Sequence, residues 1–526
     1  MKRLLILMFA ILPLGAALMV LQSCGGQGGA TGKGPGAISP TAAFLALLPI
    51  SQANASYIGT DKCATCHNDP SNPHFSEWQL TKHAANNVTC ERCHGPGSIH
   101  AASPGTAPIQ ADPTTSNILT LPNVTSPTVC AQCHGPIADD YNASAHAGDV
   151  EPGNNGSPAT NVSSSRCSAC HQGVVRVASY DNPANAPGTD GWSNVTQALA
   201  YQWAGFDATG ANYNANSPTA HTASCVTCHN PHKITGNLDK DGEEHQIRHA
   251  TTNTDQVASS SFANGTLIGG YGANTGGNST APSFQTVDQV CAQCHNGRGV
   301  TPTDAKLATG TSRPSMHDSP QFNMLMGFGG MEEDGAGVVQ LPSTRNMAHA
   351  TAPGQCSGCH MGDPAHSHKF IANAGPGCAP CHSVDDAAAK QVTVTNDVIT
   401  RMYNLQQRMR GWAAANAAFN GLINKADLWD YTSLLPVGDT APAQNLIPAS
   451  VKRSRHNYYM VLNDKSLGVH NYPYTVYMIT IANDNLDTAG APAIARPAGL
   501  TIQQMKASIL ADLKRAQQAS RDATDY

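Results

Sequence analysis

Cys63-Ala64-Thr65-Cys66-His67 is the first of eight copies of one pattern, Cys-x-x-Cys-His, spread over residues 63–382. The others are Cys90 and Cys93 with His94, Cys130 and Cys133 with His134, Cys167 and Cys170 with His171, Cys225 and Cys228 with His229, Cys291 and Cys294 with His295, Cys356 and Cys359 with His360, and Cys378 and Cys381 with His382. Sixteen of the seventeen cysteines fall in the pattern, so it decides how the chain is read. Eight disulfides would give no reason for a histidine after every second cysteine. Structural zinc needs two ligand pairs per ion and accepts Cys-x-x-Cys without a fixed next residue. Successive motifs begin 22 to 66 residues apart, which describes a string of separate sites and not a solenoid of equal repeats.

The spacing suits c-type haem. Two thiols can bond to the two vinyl groups of one porphyrin, and the adjoining imidazole reaches its iron from the same side. Eight complete motifs therefore predict eight covalently bound haem c groups, each with its iron. Composition agrees: 13% of residues are charged and 6% aromatic, with 48 Gly and 34 Pro in 526 residues. An ordinary soluble domain is about 25% charged. Such a chain has few large apolar side chains for a core, and broad porphyrin plates can supply one. The expected fold is mainly α with extensive coil and little β, haem-cored, with a C-terminal helical segment.

The N-terminus reads as an export signal over 1–23: Lys2 and Arg3, then an almost wholly apolar run from Leu4 to Val20. Leu21-Gln22-Ser23-Cys24 resembles the lipobox of bacterial lipoproteins, in which the cysteine carries the lipid; this accounts for the seventeenth cysteine. The resemblance implies lipidation of Cys24 and, with Gly25 and no aspartate following it, an outer-membrane destination. A transmembrane anchor is the competing reading of the apolar run. A second apolar patch, Ala42 to Ile50, lies far from the positive end and is read as a decoy. Residues 24–59 are assigned to the lipidated cysteine and a flexible, Gly-rich tether with no helical or strand period.

Residues 60–395 form the expected octahaem domain. Of 22 histidines, eight are in motifs and 14 remain as sources of a sixth ligand for each iron. Trp78 to Ala84, with His83, resembles the segment that precedes a motif in many multihaem cytochromes and carries a distal ligand. Ser144-Ala145-His146-Ala147 repeats its second half. His100 and His232, just after motifs, also match family stretches, as do the segments around His317 and His368, the latter with His366 as competitor. His221 and His349 lie shortly before Cys225 and Cys356. His74, His245, His249 and His456 are left as surface residues. Met361, beside His360, is assigned to packing on a porphyrin.

Residues 396–526 carry no motif and read as helical, packed on the haem domain. Asp397 is the expected cap of a helix whose apolar positions are Val398, Met402, Leu405, Met409 and Trp412, with further helices around 451–462 and 502–516. Gly468-Val469-His470-Asn471 resembles the C-terminal segment of nitrite-reductase-like multihaem cytochromes, which implies that His470 reaches back to a haem. With it the distal candidates number nine for eight irons. Catalytic members of that family use a motif ending in lysine; none occurs here, so no catalytic residue is assigned.

The whole pattern resembles the surface cytochromes of metal-respiring bacteria. That implies electron relay to extracellular acceptors such as metal oxides, soluble metals or quinones. Other multihaem cytochromes or an outer-membrane conduit would be the partners. The alternatives are a reductase of nitrite, tetrathionate or hydroxylamine, or a subunit of a cytochrome filament. Loss of Lys2 and Arg3 with the signal leaves 28 basic and 36 acidic residues, a net charge of −8, and no basic stripe to favour nucleic acid.

Overall fold

The computed structural model describes residues 40–70, 73–104, 117–120, 123–148, 223–234, 245–248, 289–297 without 293, 319–327, 348–435 without 366 and 380, 444–494 and 499–522, with isolated positions at 173, 174, 177, 307 and 329–331. The signal, Cys24 and residues 25–39 lie outside that set, as do Cys167, Cys170, His171, His221, His249, His317 and His366. Among the described residues the chain is helix and coil with no strand; an antiparallel bridge pairs His229 with Ile247. No described helix is long and apolar enough to cross a membrane.

The chain divides into two compact units. One takes residues up to Ala143 and returns for Asn230–Ile234. Its motifs sit on short helices, Thr60–His67, Cys90–His94 and Pro127–Ala131. Its apolar core is small: Phe44, Leu47, Leu119 and Val129, with Leu48, Cys93 and Val124 against them. The buried carboxylate of Glu91, between the cysteines of the second motif, does more. It accepts hydrogen bonds from the backbone N–H groups of Ile58, Gly59 and Gly97, each at 2.9 Å. One side chain thus fixes the approach to the first motif helix and the turn before the Ser98–Ala102 helix.

Residues 41–54 correct the reading of the tether. The Thr41 hydroxyl caps an Ala42–Leu45 helix by accepting from Phe44 N, and Phe44 and Leu47 bury themselves in the core just described. The Gln52 amide donates to the carbonyls of His94 and Pro96. Gly95 permits this approach: its φ is +77°, and a Cβ there would stand 2.6 Å from Leu48 Cδ2. Composition misleads here because four large apolar residues in a Gly/Ala/Ser background are enough to dock a short segment.

The second unit, Ser144–His229 with Thr235 onward, holds the C-terminal helices Val384–Ala415, Ala449–Asp464, Tyr472–Thr488 and Ile502–Asp522. Their core includes the predicted stripe Val398, Met402, Leu405, Met409 and Trp412. Two details differ from the sequence reading. The first helix starts directly after the last motif, capped by Ser383, so it crosses the expected boundary at 396; Asp397 lies inside it and pairs with Arg401 and the Tyr472 hydroxyl. The Tyr472–Thr488 helix has no counterpart in the sequence reading. Pro473 at its start and the run of β-branched residues after it obscure a helical period, but Asn471 caps it and the Val384–Ala415 and Ala449–Asp464 helices bury its face.

Phe44→Ala in the haem-loaded protein is expected to cost about 3 kcal/mol, the low end for a buried Phe. Urea denaturation measures it; a residue on an open tether would cost nothing.

Candidate haem sites

Each described motif is wound into about one helical turn, which is what places its two thiols together. The backbone N–H of Cys133 donates to the carbonyl of Cys130, that of Cys294 to Cys291 and that of Cys381 to Cys378, each at 3.1 Å. Cys228 closes the Cys225–Cys228 helix, and Cys359 lies in the Gln355–His360 helix three residues after Cys356. Residues three apart share one face of a helix, so both sulfurs of a motif are presented to the same side. The turn continues into the histidine: the N–H groups of His134, His229, His295 and His382 donate to the carbonyl of the first cysteine of their motif, each at 2.9 Å. Fourteen motif cysteines are described and no disulfide joins any of them; Cys66 and Cys381 are exposed and the other twelve half-buried. Cys167 and Cys170 lie outside the described residues.

Of the seven motif histidines among the described residues, six face a second imidazole. His67 faces His100 with ring centroids 6.2 Å apart, His94 faces His232 at 5.9 Å and His134 faces His83 at 6.3 Å. In the second unit His229 faces His368 at 6.3 Å, His295 faces His146 at 6.0 Å and His360 faces His470 at 6.2 Å. A metal bonds an imidazole nitrogen at about 2.0 Å and that nitrogen lies about 1.1 Å from the ring centroid, so two rings across one metal stand about 6.2 Å apart. The spacing is therefore that of an iron held between two histidines, and the residues present fit the group that the motifs imply.

The second ring nitrogen of several of these histidines is engaged in a way that fixes the tautomer. Nδ1 of His94 lies 2.8 Å from the Leu119 carbonyl, that of His229 2.7 Å from the His245 carbonyl and that of His360 3.0 Å from the Phe370 carbonyl. A carbonyl can only accept, so Nδ1 carries the proton and Nε2 keeps its lone pair for a metal. Burial lowers the pKa of His94, His100, His134, His146 and His360, and takes His229 and His295 down to about 4. These imidazoles are neutral at pH 7, the form that ligates. At His470 burial pulls the pKa down, but the adjacent Asp464 carboxylate outweighs it and the net direction is up.

The loop that presents His470 is tight. Lys465, Leu467 and Gly468 all have positive φ, and a Cβ at Gly468 would meet Val398 Cγ2 at 2.8 Å. Left-handed backbone at a lysine and a leucine is costly and persists where surrounding packing imposes it. Here the wall of the Val384–Ala415 helix does so.

Three distal candidates remain outside the pairs. His221 and His317 fall outside the described residues. His349 places Nδ1 2.7 Å from the Val469 carbonyl, next to His470, and belongs to none of the six pairs. The motif histidine His382 sets Nδ1 3.2 Å from Asp386, a half-exposed carboxylate also held by Lys390. Of the histidines set aside in the sequence, His74 lies 5.1 Å from the His232 ring, tilted by 38°, and His456 is buried within the helical bundle with Nε2 3.5 Å from the Gly329 carbonyl. Met361 caps the end of the Gln355–His360 helix.

The Thr60–His67 and Cys90–His94 helices, which carry the first two motifs, pack against each other, so these two sites are close neighbours.

Phe370 is a site residue that the sequence does not reveal. Its ring meets His146 edge-on at 4.6 Å and His368 at 5.7 Å, while its carbonyl accepts from His360. Ligands of three candidate sites thus converge on one residue, whose φ is +56°. A bulky side chain in that region is a true outlier. Its strain turns the carbonyl toward His360 while the ring faces the other way.

No family model matches the chain, and no curated protein matches it. Among solved structures it is similar to the undecahaem cytochrome from the S-layer of Carboxydothermus ferrireducens, with a TM-score of 0.40 and 19% identity over 77% of this chain and 51% of that one. The chain thus spans about half the length of that protein. It is also similar to the outer cell wall cytochrome OcwA, with a TM-score of 0.36 and 16% identity over 76% of this chain and 70% of that one.

Ring orientation makes a spectroscopic prediction. The planes are near parallel for His94 with His232 (13°), His67 with His100 (21°) and His229 with His368 (26°), but near perpendicular for His83 with His134 (70°) and His146 with His295 (71°). Parallel rings split two iron d orbitals; crossed rings leave them nearly degenerate. Electron paramagnetic resonance of the oxidised protein should show both rhombic low-spin signals and large-gmax signals. His232→Ala should remove intensity from the first class and His146→Ala from the second, each creating one high-spin iron.

Proposed function

We propose that the chain is an electron-transfer protein, an octahaem c-type cytochrome that relays electrons at the outer membrane to extracellular acceptors. The observation that carries this reading is the set of six opposed imidazole pairs with ring centroids 5.9–6.3 Å apart, each with one ring from a Cys-x-x-Cys-His motif. A haem bound at such a pair supplies a reversible one-electron couple at iron.

The protein's own residues make that couple suited to relay and not to catalysis. At the six pairs, a histidine on each side would leave a bound haem no position for a substrate. Rings held from behind by backbone carbonyls move little when the charge between them changes, so little reorganisation accompanies transfer. Close approach of neighbouring sites, seen between the Thr60–His67 and Cys90–His94 helices and around Phe370, supports passage from one to the next.

Location is inferred from the N-terminal signal and the lipobox-like Cys24. Retention of residues 41–54 in the mature protein is supported by the burial of Phe44 and Leu47, which cleavage near Ser56 would remove. Suitable acceptors are metal oxides, soluble metals, quinones or another multihaem cytochrome. A net charge of −8 before haem propionates favours partners that present cations or a basic patch.

Intact mass of the mature protein should correspond to eight covalent haems. The reduced protein should pass electrons to ferric citrate and a quinone analogue without binding nitrite or cyanide at iron; a stoichiometric high-spin haem that turns over nitrite would replace relay with reductase chemistry. Cys24→Ala should abolish lipid attachment and release the protein from the membrane fraction, read by fractionation and haem-stained gels.

A further inference from the structure

Asp464 ends the Ala449–Asp464 helix, and its side chain is 1% exposed. Both circumstances are unfavourable for a carboxylate: burial removes its hydration, and a helix C-terminus already carries partial negative charge. What it meets there is His470, whose Nδ1 lies 2.6 Å from Asp464 Oδ1. The second oxygen accepts from the Ser466 hydroxyl, which in turn accepts from His470 N at 3.2 Å. The whole loop is thus folded around one imidazole–carboxylate pair.

This set of partners differs from the others. His94, His229 and His360 each give their Nδ1 proton to a backbone carbonyl, and His368 pairs with the Ser367 hydroxyl. His382 also has a carboxylate, Asp386, but at 3.2 Å, with the side chain 45% exposed and shared with Lys390. Solvent and the ammonium screen that one. The Asp464 carboxylate is in a low-dielectric interior, where a charge acts far more strongly on its neighbours.

We propose that Asp464 is a potential-setting residue: by drawing on the Nδ1 proton of His470 it makes that imidazole a stronger donor and holds the iron of the site at Cys356 and Cys359 at a lower potential than the irons backed by carbonyls. The inference rests on His360 and His470 ligating one haem. Two effects share a sign. A more imidazolate-like ligand favours the ferric state, and so does the nearby negative charge. In the transfer step a reduced neighbouring haem is oxidised by one electron, the ferric iron of this site is reduced by it, and the same electron then leaves. The Nδ1 proton stays in its hydrogen bond throughout. Functionally, this site is a more reducing stop than those of His94 and His229, whose rings are backed by carbonyls.

The test uses the mature, haem-loaded protein. Asp464→Asn keeps an oxygen acceptor for Nδ1 but removes the charge. Spectroelectrochemical titration should show one low-lying component of the eight moving to higher potential while the others keep theirs. Ser466→Ala removes a donor from the carboxylate, leaves it more basic, and should move the same component the other way. This variant also tests the proposal if Asp464→Asn fails to mature. His470→Ala identifies the component, since it should turn one low-spin iron high-spin and abolish that wave. Unchanged potentials in both carboxylate-pocket variants, with His470→Ala still producing a high-spin iron, would overturn the role of Asp464 alone. If His470→Ala leaves all irons low-spin, the ligand assignment itself is wrong.

Discussion

The candidate sites depend on holding two imidazole rings about 6.2 Å apart, although they come from distant parts of the chain. His67 and His100 are 33 residues apart, while His146 and His295 are 149 apart. The entropy of closing a loop grows only with the logarithm of its length, so the longer closure costs about 1.3 kcal/mol more than the shorter. A metal–ligand bond offsets such a difference easily. This is why a chain with many Gly and Pro residues and few large apolar ones can be drawn into two compact units. Where an ordinary domain is held by side-chain burial, the first unit has a four-residue apolar core and is otherwise organised by its motifs, by Glu91 and by Gln52.

The C-terminal helices are stabilised differently. They share a continuous core of aliphatic and aromatic side chains, threaded by a polar network in which the Tyr458 hydroxyl donates to Asp512, the Tyr459 hydroxyl to Asp430, and Arg455 lies over the Tyr431 ring. Buried polar groups satisfied in this way fix one packing arrangement over others. That rigidity matters at the loop from Lys465 to Asn471, where three exceptions to ordinary backbone geometry can be sustained only against an unyielding wall. What the bundle holds in a fixed geometry beside His360 is His470 with its carboxylate partner Asp464.

The motifs are legible in the sequence because covalent haem attachment is local: five consecutive residues carry the whole requirement. Six of the histidines that the sequence singles out do face a motif histidine, but the sequence does not tell which motif each one faces. His232 follows His229 by three residues yet faces His94, and His100 follows His94 by six yet faces His67. A histidine just past a motif leaves on the proximal side of its own haem and can only serve another. Phe370 leaves no sequence signal, because its role comes from a left-handed backbone that turns its ring and its carbonyl to different sites. The docking of residues 41–54 and the Tyr472–Thr488 helix are hidden for the opposite reason: tertiary neighbours supply what local composition lacks.

The pairing of His94 with His232 has a consequence for how the protein is made. Its first unit is discontinuous, ending at Ala143 and resuming at Asn230. A chain threaded across a membrane N-terminus first delivers the second motif, and its haem can be attached, while 138 residues still separate it from its partner ligand. On the haem reading, an iron held there would lack its second histidine until His232 emerges, and a secretion stall between residues 144 and 229 would leave it open to oxygen.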